Sequence, residues 1–236
     1  EKTKNINFIN KDYIYKDRTA SYNTFGQTGL INIASAETFP EGSVHLVYTQ
    51  NNLYKFTSLV VAPLDWMEAS YFYYRPSDLF WAGQKGKWLD KGFNVKFSYK
   101  PKKNYFPTVA IGLDDFAGTG YLSREYVMST YSTESLKISA GLGWGKYSSG
   151  AKNYKNPLSF ISNSFDDRGS EYGSDSESLL GGQLTYSSWF SGPVSFLGGL
   201  EWSIPYSNGL KFKIEHDPFD YNDFSANFRS DRDQIL

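Results

Sequence analysis

From residue 28 onward, apolar and polar side chains alternate in short runs split by Gly, Pro, Asn and Asp. Period-two alternation sends successive side chains to opposite faces, so the pattern predicts antiparallel strands. The clearest run is 93–100. Phe93, Val95, Phe97 and Tyr99 share one face, and Asn94, Lys96, Ser98 and Lys100 share the other. In 136–145, Leu136, Ile138, Ala140, Leu142 and Trp144 oppose Lys137, Ser139 and glycines. In 194–204, Val194, Phe196, Leu200, Trp202 and Ile204 mostly oppose Ser195, Glu201 and Ser203. In 210–217, Leu210, Phe212 and Ile214 oppose Lys211, Lys213, Glu215 and Asp217. Weaker strand candidates are 29–35, 43–50, 56–62, 65–75, 108–114, 124–131 and 180–190.

The connections are uneven. Those at 62–65, 191–193 and 206–209 are tight, whereas 146–179 is long and polar. Short turns on one side and longer loops on the other are the habit of outer-membrane barrels. With 146–179 outside, alternate connections at 62–65, 100–107 and 191–193 fall on the periplasmic side. The candidate segments are odd in number, whereas single-chain bacterial barrels have even counts. An additional strand within 5–24 is therefore expected, giving about 12 (range about 10–12) strands in an antiparallel up-and-down transmembrane β-barrel. The alternative is that 29–35 does not span. The division expected is a polar N-terminal segment, 1–27, contributing one strand, followed by the barrel, 28–236.

Composition supports strands, since aromatic residues make up 18% of the chain and suit a pleated, half-buried surface. Mean hydropathy is −0.49. No apolar run approaches the ~20 residues of a membrane helix, but a spanning strand needs only ~9–11, with every second one apolar. A net charge of −1 gives no long-range attraction to nucleic acid. The absence of cysteine removes disulfides, thiol catalysis and cysteine metal sites. The chain opens at Glu1 without Met or an apolar leader, as a processed chain would.

A soluble β-sandwich alternates too, with its apolar face inward. Three features favour a membrane barrel. Faces rich in Lys and Glu oppose faces rich in Phe, Leu and Trp. Aromatics end several segments (Tyr99, Trp144, Trp189, Trp202) as interfacial girdles do. Small residues crowd one face of 137–145, which suits a tightly curved or plugged barrel wall.

The stretches TGLINIAS (28–35), PLDWMEAS (63–70), AIGLDDFAGTGYLSREYVM (110–128), LGWGK (142–146), WFSGPVSFLGGLEW (189–202) and LKFKIEHDPFDY (210–221) resemble the YjbH-type family of exopolysaccharide-biosynthesis proteins. The resemblance implies an exported β-barrel of the bacterial outer membrane that serves production or secretion of extracellular polysaccharide or capsule. It implies no established catalytic residues, and no cofactor is expected. Members of that family are usually longer, and this chain corresponds to their N-terminal part.

Candidate chemistry is sparse. Asp114 and Asp115 precede the Gly-rich turn 116–120, either as a carboxylate pair at a pore mouth or as turn residues bonding backbone amides; turn chemistry is the favoured reading. The acidic stretch 166–177 lacks calcium-loop spacing and reads as a solvated loop. His45 and His216 have no ligand-spaced partner, so no metal is expected. Gly118, Gly120, Gly141, Gly143 and Gly145 lack the context of a phosphate loop. The polar strand faces remain: Asn94, Lys96, Lys100, Asp114, Lys137, Gln183, Thr185, Glu201, Lys211, Lys213 and Glu215. In a barrel these line the lumen, either to pass or bind a glycan or to fill a narrow interior with mutual salt bridges. The lipid-facing set is Phe93, Val95, Phe97, Leu136, Ile138, Leu142, Trp144, Phe196, Trp202 and Phe212.

Three functions follow as expectations. The leading one is a non-enzymatic outer-membrane barrel assisting export or surface assembly of exopolysaccharide, with lipid, lipopolysaccharide, polysaccharide and secretion proteins as partners. The second is an accessory barrel that binds partner proteins and conducts nothing, which a plugged interior would favour. The third is a soluble periplasmic carbohydrate-binding sandwich, which would bury Phe93, Phe97, Leu142 and Phe212.

Overall fold

In a computed structural model, residues 21–77, 80–81, 84–85, 89–103, 105–150, 152–168, 184, 188–205 and 209–221 are described. The strands are β1 (Ser43–Gln50), β2 (Tyr54–Leu64), β3 (Met67–Pro76), β4 (Phe80–Trp81), β5 (Gln84–Lys85), β6 (Asp90–Tyr99), β7 (Thr108–Asp114), β8 (Arg124–Ser132), β9 (Leu136–Gly145), β10 (Ser195–Ser203) and β11 (Lys211–His216). Nine of them form one sheet in the order β1-β2-β3-β6-β7-β8-β9-β10-β11, and β4-β5 form a separate pair. Every pairing is antiparallel. Neighbours in sequence are neighbours in the sheet, as in a meander.

Among the described residues β1 and β11 are the free edges, and the sheet is open. This differs from the expected twelve-strand closed barrel. Residues 29–35 form no strand, because an isolated bridge between Gly29 and Ala34 folds them back on themselves. Nor does 180–190 insert a strand, because β9 pairs directly with β10, from Ser195 opposite Gly143 to Trp202 opposite Leu136. Most of 180–190, and residues 1–20 of the expected additional strand, lie outside the described residues.

The connections sort by end. One end carries 51–53 and the long 77–89, 115–123 and 146–194, and the other carries 65–66, 100–107, 133–135 and 204–210, which include none of the long ones. The 62–65 and 100–107 connections share an end, opposite the long loop, as expected. The 191–193 turn does not, because β9 ends at Gly145 and β10 begins at Ser195 on the long-loop end.

The sheet is polar within and apolar without. On one face Glu68, Asn94, Lys96, Asp114, Arg124 and Glu201 are buried. On the other, Leu46, Phe93, Ile111, Val127, Phe196 and Phe212 are exposed. The inner face wraps the segment 21–39. Leu30, Ile33, Ala34 and Ala36 of that segment pack with Ala110, Tyr126, Met128, Tyr147 and Leu197. Phe25 packs with Tyr54, Phe56, Phe72, Tyr74 and Leu122, and Phe39 with Val60 and Ala62. Burying side chains of this size contributes roughly 1.5–3 kcal/mol each. Tyr22 reaches both free edges: its hydroxyl hydrogen-bonds His45 on β1 at 2.7 Å, and its carbonyl accepts from Lys213 on β11 at 3.3 Å. The sheet therefore curls far enough for one residue to touch its first and last strands.

Candidate functional site

The interior holds a set of buried charges, several of them answered by the segment it encloses. Glu68 on β3 and Lys96 on β6 stand 3.1 Å apart, both about 1% exposed. Lys96 donates to the Thr28 hydroxyl and, at 3.3 Å, to the Thr28 carbonyl. The Thr28 amide donates to Glu68 Oε1 at 3.0 Å, and the Phe39 amide to Glu68 Oε2 at 3.2 Å. A buried ion pair of this kind persists only when its remaining lone pairs and protons are satisfied, and here the enclosed backbone satisfies them.

The same logic recurs around the wall. Glu215 accepts the backbone amides of Ile31 and Asn32 at 2.8 Å and of Ile33 at 3.3 Å. Lys213 donates to the carbonyls of Leu30, Tyr22 and Gly29 at 2.7–3.4 Å. Lys211 joins the Ser21 hydroxyl at 2.8 Å to Glu201 at 3.1 Å. Lys137 pairs with Glu37 at 2.6 Å. Towards the long-loop end, Asp114 accepts from Gln27 Nε2 at 2.6 Å and from Arg124 Nε at 2.7 Å. The Arg124 guanidinium lies 3.8 Å from the centre of the Phe25 ring and 4.5 Å from that of Tyr147, a cation–π sandwich.

The structure thus brings Lys96, Asp114, Lys137, Lys211, Lys213 and Glu215 against segment 21–39. Glu201 joins them through Lys211 and Lys213. Asn94 is buried on the same face but bonds the wall itself, Ser70 Oγ at 2.9 Å and the Asp115 amide at 2.9 Å. Lys100 is exposed beyond the end of β6. Gln183 and Thr185 lie outside the described residues. Glu68, Arg124, Gln27 and Thr28 escaped the sequence reading, although they are the centre of the network.

Of the lipid-facing set, Phe93, Phe97, Ile138, Phe196, Trp202 and Phe212 are exposed, and Leu136 and Leu142 are half-buried. Two members differ. Val95 is buried on the outer face between Ala69 and Leu113. Trp144 is buried because Phe190 folds over it edge-on, with ring centroids 5.2 Å apart. The fold-over is anchored by Arg168, which grips Glu125 with two nitrogens at 2.5 and 2.7 Å. The exposure of Phe93, Phe97 and Phe212 contradicts the sandwich, which requires a second layer over these side chains.

Asp115 takes a left-handed conformation, φ 53°, and its Oδ2 accepts the Leu122 amide at 3.0 Å. Together with the Asp114–Arg124 pair, this gives both aspartates a part in holding the 115–123 turn, Asp114 beside its bond to Gln27. Burial holds the Asp115 carboxyl well above the ordinary carboxylate range, and the nearby Asp90 charge pushes the same way. His45 is engaged with Tyr22, and His216 is exposed at the end of β11. Among the described residues no group of three or more His, Asp or Glu is arranged to hold a metal ion.

Residues 21–234 match the family described as exopolysaccharide biosynthesis protein YbjH. The chain is similar to the uncharacterized lipoprotein YjbH of Escherichia coli (strain K12), with 30% identity over 214 residues, 87% of this chain and 29% of that protein. It therefore spans less than a third of the length of that relative. No solved structure matches. The chain belongs to the YjbH family of exopolysaccharide biosynthesis proteins.

Proposed function

We propose that this chain forms a barrel-type wall in the bacterial outer membrane and assists surface assembly of an exopolysaccharide as a non-enzymatic accessory, without itself being an open conduit. The supporting observation is the inversion of the sheet. Its exposed face carries Leu46, Ile111, Val127, Phe196 and Phe212, while Lys96 and Glu68 are buried on the opposite face. A water-soluble protein rarely leaves an apolar face of this extent bare, whereas a lipid-facing strand requires it. The unequal loops support an orientation with the 146–194 end outside and the 65–66 end in the periplasm, the usual habit of such proteins.

The filled interior favours the accessory role over the conduit. Segment 21–39 occupies the space a glycan would need, held by hydrophobic burial as well as by hydrogen bonds. The test is reconstitution in planar bilayers and in liposomes loaded with a neutral oligosaccharide. The expected result is insertion without steady open-channel conductance and without oligosaccharide efflux. Continuous conductance together with efflux would overturn the accessory reading in favour of a conduit.

A further inference from the structure

The connection 100–107, between β6 and β7, reads KPKKNYFP. It carries three lysines and no carboxylate. Lys100, Lys102 and Lys103 are all exposed. Beside them Tyr105 and Phe106 are exposed at 62% and 55%. These two rings are in contact, with centroids 4.6 Å apart. The Phe106 amide closes a turn onto the Lys103 carbonyl at 3.1 Å, and the Lys103 ammonium sits 5.6 Å from the Tyr105 ring centre. The turn therefore presents an aromatic pair with the Lys103 ammonium beside it and two further exposed lysines in the same connection. A solvated charge run does not need two bare aromatic rings at its tip.

The position adds a second argument. The connection continues the apolar outer face, where Phe97 and Tyr99 of β6 and Val109 of β7 are exposed just before and after it. It lies at the short-turn end. One carboxylate stands on each flanking turn, Asp65 and Glu134, which leaves the ammonium groups in excess. Aromatic rings gather at the boundary between hydrocarbon and headgroup. Lysines just beyond that boundary are attracted to anionic headgroups.

We infer that residues 100–107 form a docking surface for anionic phospholipid headgroups in the periplasmic leaflet. The rings of Tyr105 and Phe106 sit at the interface, and Lys100, Lys102 and Lys103 contact phosphate. This rests on the membrane reading above, so the test separates the two. The full chain is folded into vesicles of phosphatidylcholine alone and of phosphatidylcholine with 30% phosphatidylglycerol, a composition of the order used to mimic anionic leaflets. Flotation after carbonate wash reports insertion. Association of spin-labelled phosphatidylglycerol relative to phosphatidylcholine reports selectivity. Insertion into both vesicles, with a phosphatidylglycerol preference that shrinks up to about fivefold for each lysine changed to glutamine and fades in high salt, supports the inference. Insertion with no such preference, or with one that survives K100Q/K102Q/K103Q, overturns it while leaving the membrane reading intact. Release of the chain from both vesicles by carbonate overturns the membrane reading and this inference with it. A Y105S/F106S variant that keeps insertion but loses part of the preference supports the role of the rings, and an unchanged preference overturns that role.

Discussion

Glu68 and Lys96 meet at 3.1 Å on the inner face of the sheet, and both bond Thr28 of the enclosed segment. Removing one partner leaves a buried charge unanswered, which typically costs 3–5 kcal/mol. Lys96→Met is expected to destabilise the fold by about that amount, and Glu68→Gln/Lys96→Met by clearly less. Urea titration in detergent, followed by tryptophan emission, measures both. A double variant whose loss equals the sum of the losses of Lys96→Met and Glu68→Gln alone would show that the pair is not coupled.

Thr28 supplies the hydroxyl between that carboxylate and that ammonium. Thr28→Val keeps the shape and removes the hydroxyl, so a loss of about 1–3 kcal/mol is expected. In the same titration, Thr24→Val serves as the control, because the half-buried Thr24 hydroxyl donates to Asn32 Oδ1 at 2.7 Å and not to Glu68. Equal small effects at the two sites would argue that Thr28 is not part of the locking network.

Val127 lies mid-strand on β8, on the exposed apolar face. Val127→Arg places a charge where lipid is expected, at a cost of about 2–4 kcal/mol near the bilayer centre. On a water-exposed surface the same change would be nearly neutral. Folding efficiency into vesicles of defined lipid, read on unboiled gels, separates these outcomes.

Asp115 links pH to stability. Its carboxyl is held above its ordinary value in the fold, so the folded chain binds a proton that the unfolded chain has already released. The stability this contributes is present below the ordinary carboxylate value of ~3.9 and is lost as pH rises towards the folded value. Asp115→Asn is expected to flatten that loss. Urea midpoints measured across mildly acidic to neutral pH test it, and parallel curves for both proteins would contradict it.

The faces of the strands were legible because alternation is local. Lys96 and Phe97 were assigned to opposite faces from their positions alone, and the structure places them so. Glu68 was not legible, because β3 carries aromatics on both faces, Tyr71 and Tyr73 outward and Phe72 and Tyr74 inward. With no polar face to contrast, one carboxylate gives no signal. Residues 29–35 look strand-like for a similar reason. Leu30 and Ile33 are apolar because they fill the interior, and only the far strands show why. Trp144 was misplaced among lipid-facing residues because its cover, Phe190, comes from 46 positions along the chain. Contacts of that separation leave no periodic trace.

Lipid cover over the exposed apolar face is what detergent dependence, joined to unboiled gel migration, puts to the test. The expected chain stays dispersed only in detergent or lipid and migrates as a compact, heat-modifiable β-protein. A monodisperse species in detergent-free buffer, with the same migration boiled or unboiled, would contradict it.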